Sequence, residues 1–551
     1  MPDSRLPASC ALTFSLLVTT TAIAIADEVV PVPDAGFESG GVGWSGGRIV
    51  QDESVAAPEG RACIEMVAGE FASASIGRIL NPGETYRLRA WTRRSNPPGT
   101  SAVGVASIRL SSMVGGKTTI ELGTTARTVD PPRLGGAAAT VASDDGVNVW
   151  FDGGYRMHFG DIPLYQSTSA DPLVDPWLEA ERDGYDFDNA LGPLRTSNGF
   201  RAIYDCFYDD AGPPYESIIG FRRPIGSAPN YTWDDEYEVV LEHTPTEFPW
   251  VIDPHLFEDP DTGRVWMSWG GHVIHVTEID PLTGRILGDP ADPEIDTHPA
   301  GTHVPILKWP ESIALGGDPA QPPGWCGDAY SSCYMEGPAL FKHGGWWYAF
   351  ASYGNLGSDY TIRMARSASP TGPYLDKDGV NGTTFDPTLD RYGASMLLAA
   401  EGDQAVPGHP AVWKDGDRLL LGYDQRPDPQ LDVDRMAIRE LHVVDGWPTI
   451  WSPIELEIRV DDHSDAVGGE LKIELGGVGD PGSVVLFDRI ELERIGTPCP
   501  SDLDGDGRTD GADLAQLLIG WGATGPGDID GDGLVDAADL GLLVVGWGPC
   551  P

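Results

Sequence analysis

The sequence predicts a multidomain, all-β protein that closes in a small helical domain. Three observations predict it. A Pro-opened strand, a Gly turn and an apolar or aromatic second strand recur through the middle of the chain. Strictly alternating stretches lie on both sides of that region, with no long amphipathic helical run. A twelve-residue acidic loop occurs twice near the C-terminus, each copy leading into a short leucine-rich segment. Seventy Gly and 47 Pro among 551 residues suit a turn-rich β chain, and a chain of this length exceeds one ordinary domain.

Residues 1–26 read as a secretory signal: a polar start with Arg5, the apolar run Ala11 to Ala26, and Ala24-Ile25-Ala26 ahead of Asp27. No other apolar stretch reaches the ~18 residues of a membrane span. The expectation is a secreted or cell-surface protein.

Residues 27–168 are expected to form a β-sandwich. The opening Val32-Pro33-Asp34-Ala35-Gly36-Phe37-Glu38-Ser39-Gly40, followed by Trp44, resembles carbohydrate-binding modules of the family 4, 9 and 22 kind. Val147-Asn148-Val149-Trp150-Phe151-Asp152 resembles their last strand. The resemblance implies sugar binding and a structural calcium near Glu38 and Asp152.

Residues 169–452 carry the recurring phrase. Ile252-Asp253-Pro254 precedes the turn at Gly263, Met335-Glu336-Gly337-Pro338 precedes Gly344, and Gly408-His409-Pro410 precedes Gly416. The polar residue leads its turn Gly by 10, 8 and 7 positions, and Leu191-Gly192-Pro193 before Gly199 is a further copy. Proline lacks an N–H and biases its predecessor to extended geometry, so each phrase begins a strand. The second strands start at 200, 263, 344 and 417. All-β repeats of this kind, joined by loops of variable length, suggest propeller blades. Innermost propeller strands converge on the axis, which would bring Asp253, Glu336 and His409 into one cavity.

These words resemble glycoside hydrolase family 43, the five-bladed propellers, and within it the arabinan-degrading enzymes. The run Ile362-Arg363-Met364-Ala365-Arg366-Ser367 through Thr371-Gly372-Pro373-Tyr374 extends the likeness, which covers roughly 170–452. The resemblance implies that Glu336 is the general acid and that Asp253 tunes its pKa and orients it. It also implies that His409 lies near the axis, where a calcium or another ion is held through water. Inversion requires a base roughly 6.5–9.5 Å from the acid, with room for water between.

In that family the base is an Asp in the first blade, inside an Asp-Pro word. Two candidates stand here, Asp171-Pro172 and Asp175-Pro176. Asp175 precedes Gly184 by 9 positions and fits the window of the other blades, whereas Asp171 precedes it by 13. The segment after Gly184 is a poor strand, so the first blade is expected to be abbreviated. Either it still delivers Asp175, or the base is absent and the propeller only binds.

Residues 453–497 alternate strictly at Ile454 to Val460 and Leu471 to Leu475, and Val485 to Glu493 resembles a last sandwich strand. This segment is too short for a self-standing sandwich and must pack on a neighbour that the sequence does not name.

Residues 498–551 hold the most specific motif. Calcium loops need oxygen ligands at positions 1, 3, 5, 9 and 12, a carbonyl at 7 and a turn-forming Gly. The first copy offers Asp502, Asp504, Asp506, the Arg508 carbonyl, Asp510 and Asp513. The second, 26 residues on, offers Asp528, Asp530, Asp532, the Leu534 carbonyl, Asp536 and Asp539. Two Ca2+ are expected. A tandem pair with one helix after each loop resembles a dockerin, which implies a cohesin-type protein partner. The partner-facing positions of that family are Gly511-Ala512 and Ala537-Ala538 here, without the usual hydroxyls, so cohesin choice and cohesin binding itself stay open.

A formal charge of −48, from 84 acidic and 36 basic residues, argues against nucleic acid or an anionic membrane as partner. A neutral polysaccharide needs no basic groove. Beyond Cys10, the six cysteines at 63, 206, 326, 333, 499 and 550 suggest disulfides in an exported chain, with Cys326–Cys333 the favoured local pair and Cys499 and Cys550 bracketing the last domain. The reading is a secreted glycoside hydrolase acting on arabinan-like polysaccharide, or on xylan or galactan. Two other readings stay open: an inactive carbohydrate-binding propeller, and a surface or matrix protein assembled through its calcium repeats.

Overall fold

The computed structural model describes residues 28–52, 54, 56–80, 84–95, 102–129, 133–134, 147–151, 155–159, 165–167, 178–179, 192–208, 217–227, 230–233, 238–242, 251–287, 302–309, 335–354, 359–389, 391–401, 405–426, 435–460, 465–495, 501–503, 508–525, 527–530 and 533–549. The proposed signal and the Cys326, Cys333, Cys499 and Cys550 pairings lie outside them.

The neighbour sought by residues 453–497 is the N-terminal sandwich itself. Strand Val484–Ile495 lies between Ala62–Val67 and Thr85–Arg94, and Ser452–Arg459 extends the same sheet beyond Thr85–Arg94. In the facing sheet Glu470–Gly479 lies between Phe71–Ile79 and Gly104–Val114. The period-2 pattern buries Leu471, Ile473 and Leu475 against Leu88, Ile108, Leu110 and Phe487. The sandwich is therefore one unit built from two distant parts of the chain, with the propeller inserted between them.

The propeller has five four-stranded antiparallel blades. Their innermost strands are Val147–Phe151, Gly192–Arg195, His255–Glu258, Met335–His343 and Ala405–Asp415. Each contacts the innermost strand of the next blade, and the fifth contacts the first, so the ring is closed. The last blade gains an outer partner from ahead of the first: Arg133–Leu134 pairs with Ile438 and Ala437 in strand Arg435–Val444. This added pairing covers part of a sheet edge that would otherwise stay open.

Two expectations are corrected here. The sandwich does not run to residue 168, because Val147–Phe151, Tyr155–Phe159, Tyr165–Ser167 and Leu178–Glu179 pair with one another as a separate sheet. The first blade is accordingly four-stranded and not abbreviated. Alternation alone cannot say whether a strand such as Val147–Phe151 belongs to a sandwich or to a blade, since both bury one face in two.

The sandwich and propeller share a core. Ala57, Cys63, Val484 and Leu486 pack with Tyr348, Phe350, Leu397 and Tyr423 of the fourth and fifth blades and with Trp451, which leads from the fifth blade back into the sandwich. Beside them Glu401, 4 % exposed, accepts from Arg93 Nη2 at 3.1 Å, Arg94 Nε at 3.3 Å and Arg439 Nη2 at 3.4 Å. Two of those guanidiniums belong to the sandwich and one to the fifth blade. Lys377 Nζ adds a bond to the Ala57 carbonyl at 3.1 Å. Buried ion clusters of this kind hold partners in register, because separating them strands charge away from water.

The C-terminal unit is two helices, α1 (Gly511–Ile519) and α2 (Ala537–Val545), around Leu517, Val535 and Leu543. Each begins with an Asp N-cap, Asp510 or Asp536, reciprocated by Asp513 or Asp539 three residues later. Leu517 of α1 is buried, whereas Leu518 beside it on the same helix is exposed.

Candidate active site

Asp253 lies two residues ahead of the inner strand of the third blade, while Glu336 and His409 lie on those of the fourth and fifth. The backbone is unusual at all three places. Asp253, Gly337 and His409 have φ of +54°, +54° and +45°. Non-glycine residues with positive φ are uncommon and gather where surrounding structure holds them for a purpose. Here the turns fold the ends of three strands onto one spot.

The three phrases meet. Asp253 Oδ2 accepts the Gly337 N–H at 2.8 Å. A Cβ on Gly337 would lie 2.9 Å from His409 Cγ, so the absence of a side chain there lets the fifth blade approach the fourth. Both Asp253 and His409 are buried, and Glu336 is half-buried. Burial pushes the Asp253 carboxyl up to about 6, against the pull of the Gly337 N–H. It is thus a proton-binding group in the mildly acidic range rather than a permanent charge.

The histidines at this end are neutral. Burial holds His409 at about 4, and burial together with His409 holds His255 at about 4. His255 Nδ1 accepts the Leu340 N–H at 3.2 Å, which assigns its proton to Nε2. A neutral imidazole is the form able to accept from an ion's water shell, so His409 fits the axial ion implied by the resemblance, whereas His255, with Nδ1 already taken, has only a donor left.

Several residues here were not singled out from sequence. Tyr360 Oη donates to Glu336 Oε1 at 2.7 Å. Ser352 pairs across strands with Glu336 and accepts the His409 N–H at 2.7 Å. Asp424, 1 % exposed, lies close enough to Tyr360 to raise its pKa, along with burial and Glu336. Tyr360 sits ahead of a third blade strand in a stretch without periodic or motif signal. Gly408 alone left a trace, the word Pro407-Gly408-His409-Pro410: a Cβ there would run into the Tyr360 ring.

Asp171 and Asp175 lie outside the described residues. In sequence they fall between the third strand of the first blade, Tyr165–Ser167, and the fourth, Leu178–Glu179. The position equivalent to Asp253 and Glu336 is the start of Val147–Phe151. The acids preceding that strand are Asp144 and Asp145, also outside the described residues, 9 and 8 positions ahead of Gly153.

At the far end of the chain, carboxylate oxygens of Asp528, Asp530 and Asp539 lie within 4.8 Å of one another. Asp528 Oδ2 accepts the Gly533 N–H at 2.9 Å, while its Oδ1 is buried with no hydrogen-bond partner. A buried carboxylate oxygen left in that state beside two further acids suits a hard cation. In the first loop Leu503 N–H donates to Asp513 Oδ1 at 2.6 Å, as Ile529 N–H does to Asp539 Oδ1 at 2.6 Å. Asp504, Asp506 and Asp532 lie outside the described residues. In the sandwich, Glu38 Oε1 accepts the Arg61 and Ala62 N–H groups at 2.7 and 2.5 Å. Asp152, expected to share a calcium with it, follows a propeller strand and not a sandwich strand.

Residues 227–423, which include Asp253, Glu336 and His409, match the family model described as Glycosyl hydrolases family 43. The chain is 29% identical over 236 residues to the extracellular exo-alpha-(1->5)-L-arabinofuranosidase ArbA of Cellvibrio japonicus, covering 41% of this chain and 58% of that protein. It is 27% identical over 229 residues to the extracellular endo-alpha-(1->5)-L-arabinanase 2 of Bacillus subtilis, covering 37% and 42%. The chain thus spans about half the length of these two relatives. Among solved structures, Cellvibrio cellulosa alpha-L-arabinanase complexed with arabinohexaose is similar with a TM-score of 0.40 at 20% identity, covering 56% of this chain and 95% of that one. The family match and the relatives support family 43 for the propeller part of the chain.

Proposed function

We propose that this chain is a glycoside hydrolase that cleaves arabinan-type polysaccharide outside the cell by inversion. Glu336 acts as general acid, and Asp253 orients it and tunes its proton affinity. The observation that carries this reading is the hydrogen bond from Gly337, the residue after Glu336, to Asp253 of the neighbouring blade. It ties the two acids to one place at the end of the propeller ring. The relatives described above are named an exo-alpha-(1->5)-L-arabinofuranosidase and an endo-alpha-(1->5)-L-arabinanase, which favours arabinan over xylan or galactan.

An inverting reaction also needs a base that activates water from the opposite face. Position along the chain favours Asp144 or Asp145, ahead of the first blade's innermost strand, over Asp175. When an ion is bound at the axis, His409 would help hold it through water, and the ion would supply positive charge near the sugar. The C-terminal loops are proposed to bind two Ca2+, and a cohesin-type partner for them rests on resemblance alone. So does sugar binding by the sandwich, and export rests on residues 1–26.

Reducing-sugar release from debranched arabinan, arabinoxylan and galactan tests the reading. Wild type is expected to release sugar from arabinan. Glu336→Gln should lose ~10² or more, and the base is whichever of Asp144→Asn, Asp145→Asn and Asp175→Asn does the same. Binding to one of these polymers without release by wild type would make the propeller a carbohydrate binder.

A further inference from the structure

We propose that Tyr360, backed by Ser352, is a positioning residue that fixes the carboxyl of Glu336 for proton transfer. The proposal rests on the reading of Glu336 as the general acid. A directional chain of donors leads to that carboxyl. The His409 N–H donates to Ser352 Oγ at 2.7 Å, Ser352 stands across the strand from Glu336 and near enough to the Tyr360 phenol to favour its ionised form, and Tyr360 Oη donates to Glu336 Oε1 at 2.7 Å. It begins on the fifth blade and ends on the acid of the fourth.

Each link is held by packing. Ser352 is fully buried and is the cross-strand partner of Glu336. Tyr360 is 3 % exposed and its ring lies over Gly408, where any side chain would collide with it. Burial, then the charges of Glu336 and Asp424, push the phenol well above its ordinary range, so it stays a donor at every working pH. The Glu336 side chain cannot turn without breaking a bond to a buried hydroxyl.

The chain of donors also sets when Glu336 is protonated. Among the described residues, the groups facing it are Asp253 through the Gly337 amide, Tyr360, Asp424 beyond Tyr360, and the neutral imidazoles of His409 and His255. A donated hydrogen bond favours the ionised carboxylate, while the Asp253 and Asp424 carboxylates favour the protonated form. Removing the phenol hydroxyl weakens the first influence against the second, so the Glu336 pKa rises. A general acid must be protonated to act, so the alkaline limb of the rate profile moves to higher pH.

The test is Tyr360→Phe, which keeps the ring against Gly408 and removes only the donor. On debranched arabinan kcat should fall about tenfold, as for a lost bond to a charged group, with KM little changed. The alkaline limb of kcat/KM should move up by about one pH unit, and Ser352→Ala should move it in the same direction. A Tyr360→Phe enzyme with wild-type kcat and pH profile overturns the proposal, and Ser352→Ala carries the same test if the Phe variant does not fold. The second readout does not need turnover: the Glu336 carboxyl titration, followed by 13C NMR in glutamate-labelled protein and assigned with Glu336→Gln. If arabinan is not cleaved, an upward shift of that titration in Tyr360→Phe still supports the hydrogen-bond role, and an unshifted one overturns it.

Discussion

Asp253 holds the backbone of the proposed acid strand: its Oδ2 accepts the Gly337 N–H at 2.8 Å from the neighbouring blade. Asn at 253 would keep an acceptor for that N–H while removing the charge, which separates orientation from electrostatics. Burial raises the Asp253 carboxyl to about 6 from 3.8. A group with a raised folded pKa contributes stability that is complete below its unfolded value and lost as pH rises through the folded one. Asp253→Asn is therefore expected to be more stable than wild type at pH 8, by about 1–3 kcal/mol, and to show no such gain at pH 3. It should also lose ~10² in kcat/KM. The alkaline limb should move to lower pH, because Glu336 loses a like-charged neighbour. Denaturant midpoints at the two pH values and a pH–rate profile check both halves.

Gly337 serves the same junction through its lack of a side chain. Its φ is +54°, and a Cβ added there would stand only 2.9 Å from His409 Cγ, which leaves no room for alanine. Gly337→Ala is expected to destabilise by about 1–2 kcal/mol from the backbone alone. It should reduce activity more than stability, because His409 and the Glu336 strand must separate. Circular dichroism melting beside kcat/KM on debranched arabinan distinguishes the two effects.

Glu401 joins the two large units. Burial pushes its carboxyl up, but Arg439, Arg93 and Arg94 outweigh that and hold it below its ordinary value. Glu401→Gln leaves three guanidiniums around a neutral amide, and a stability loss of about 3–5 kcal/mol is expected. A depressed folded pKa gives stability present above the unfolded value, 4.5, and lost as pH falls through the folded one. The difference between wild type and Glu401→Gln should therefore narrow below pH 4. Sandwich and propeller share one hydrophobic core, so wild type should unfold them in a single denaturant transition. Two separated transitions in wild type would count against the shared core.

The three phrases that meet were legible because each carries a proline within two residues of its polar member and runs ahead of a glycine turn. Asp253, Glu336 and His409 could be aligned from spacing alone, since turn chemistry is local. The parts that were not legible depend on contacts distant in sequence. Tyr360 reaches Glu336 across a loop of unpatterned residues, and Asp424 is an acid inside an otherwise ordinary strand. Val147–Phe151 alternates like any half-buried strand, so its place in the first blade emerges only from its pairing with Tyr155–Phe159. Read as a sandwich strand, Val147–Phe151 leaves Asp171 and Asp175 as the first-blade candidates for the base; as the innermost strand it adds Asp144 and Asp145. The insertion of the propeller into the sandwich was equally hidden, because strand order is a property of the folded sheet.

The C-terminal loops give a prediction independent of catalysis. Asp528 presents a buried oxygen without a partner beside Asp530 and Asp539, yet it is not a helix cap, whereas Asp536 and Asp539 also cap α2. Asp528→Ala thus removes a proposed cation ligand and leaves the cap intact. Titration calorimetry with Ca2+ is expected to give two sites in wild type and one in Asp528→Ala, with Asp502→Ala removing the other. Because ligand charges repel when no cation is bound, chelation should melt α1 and α2 while the main unfolding transition stays in place. A wild-type chain that takes up no Ca2+, or helices unchanged by chelator, would refute the calcium reading without touching the propeller.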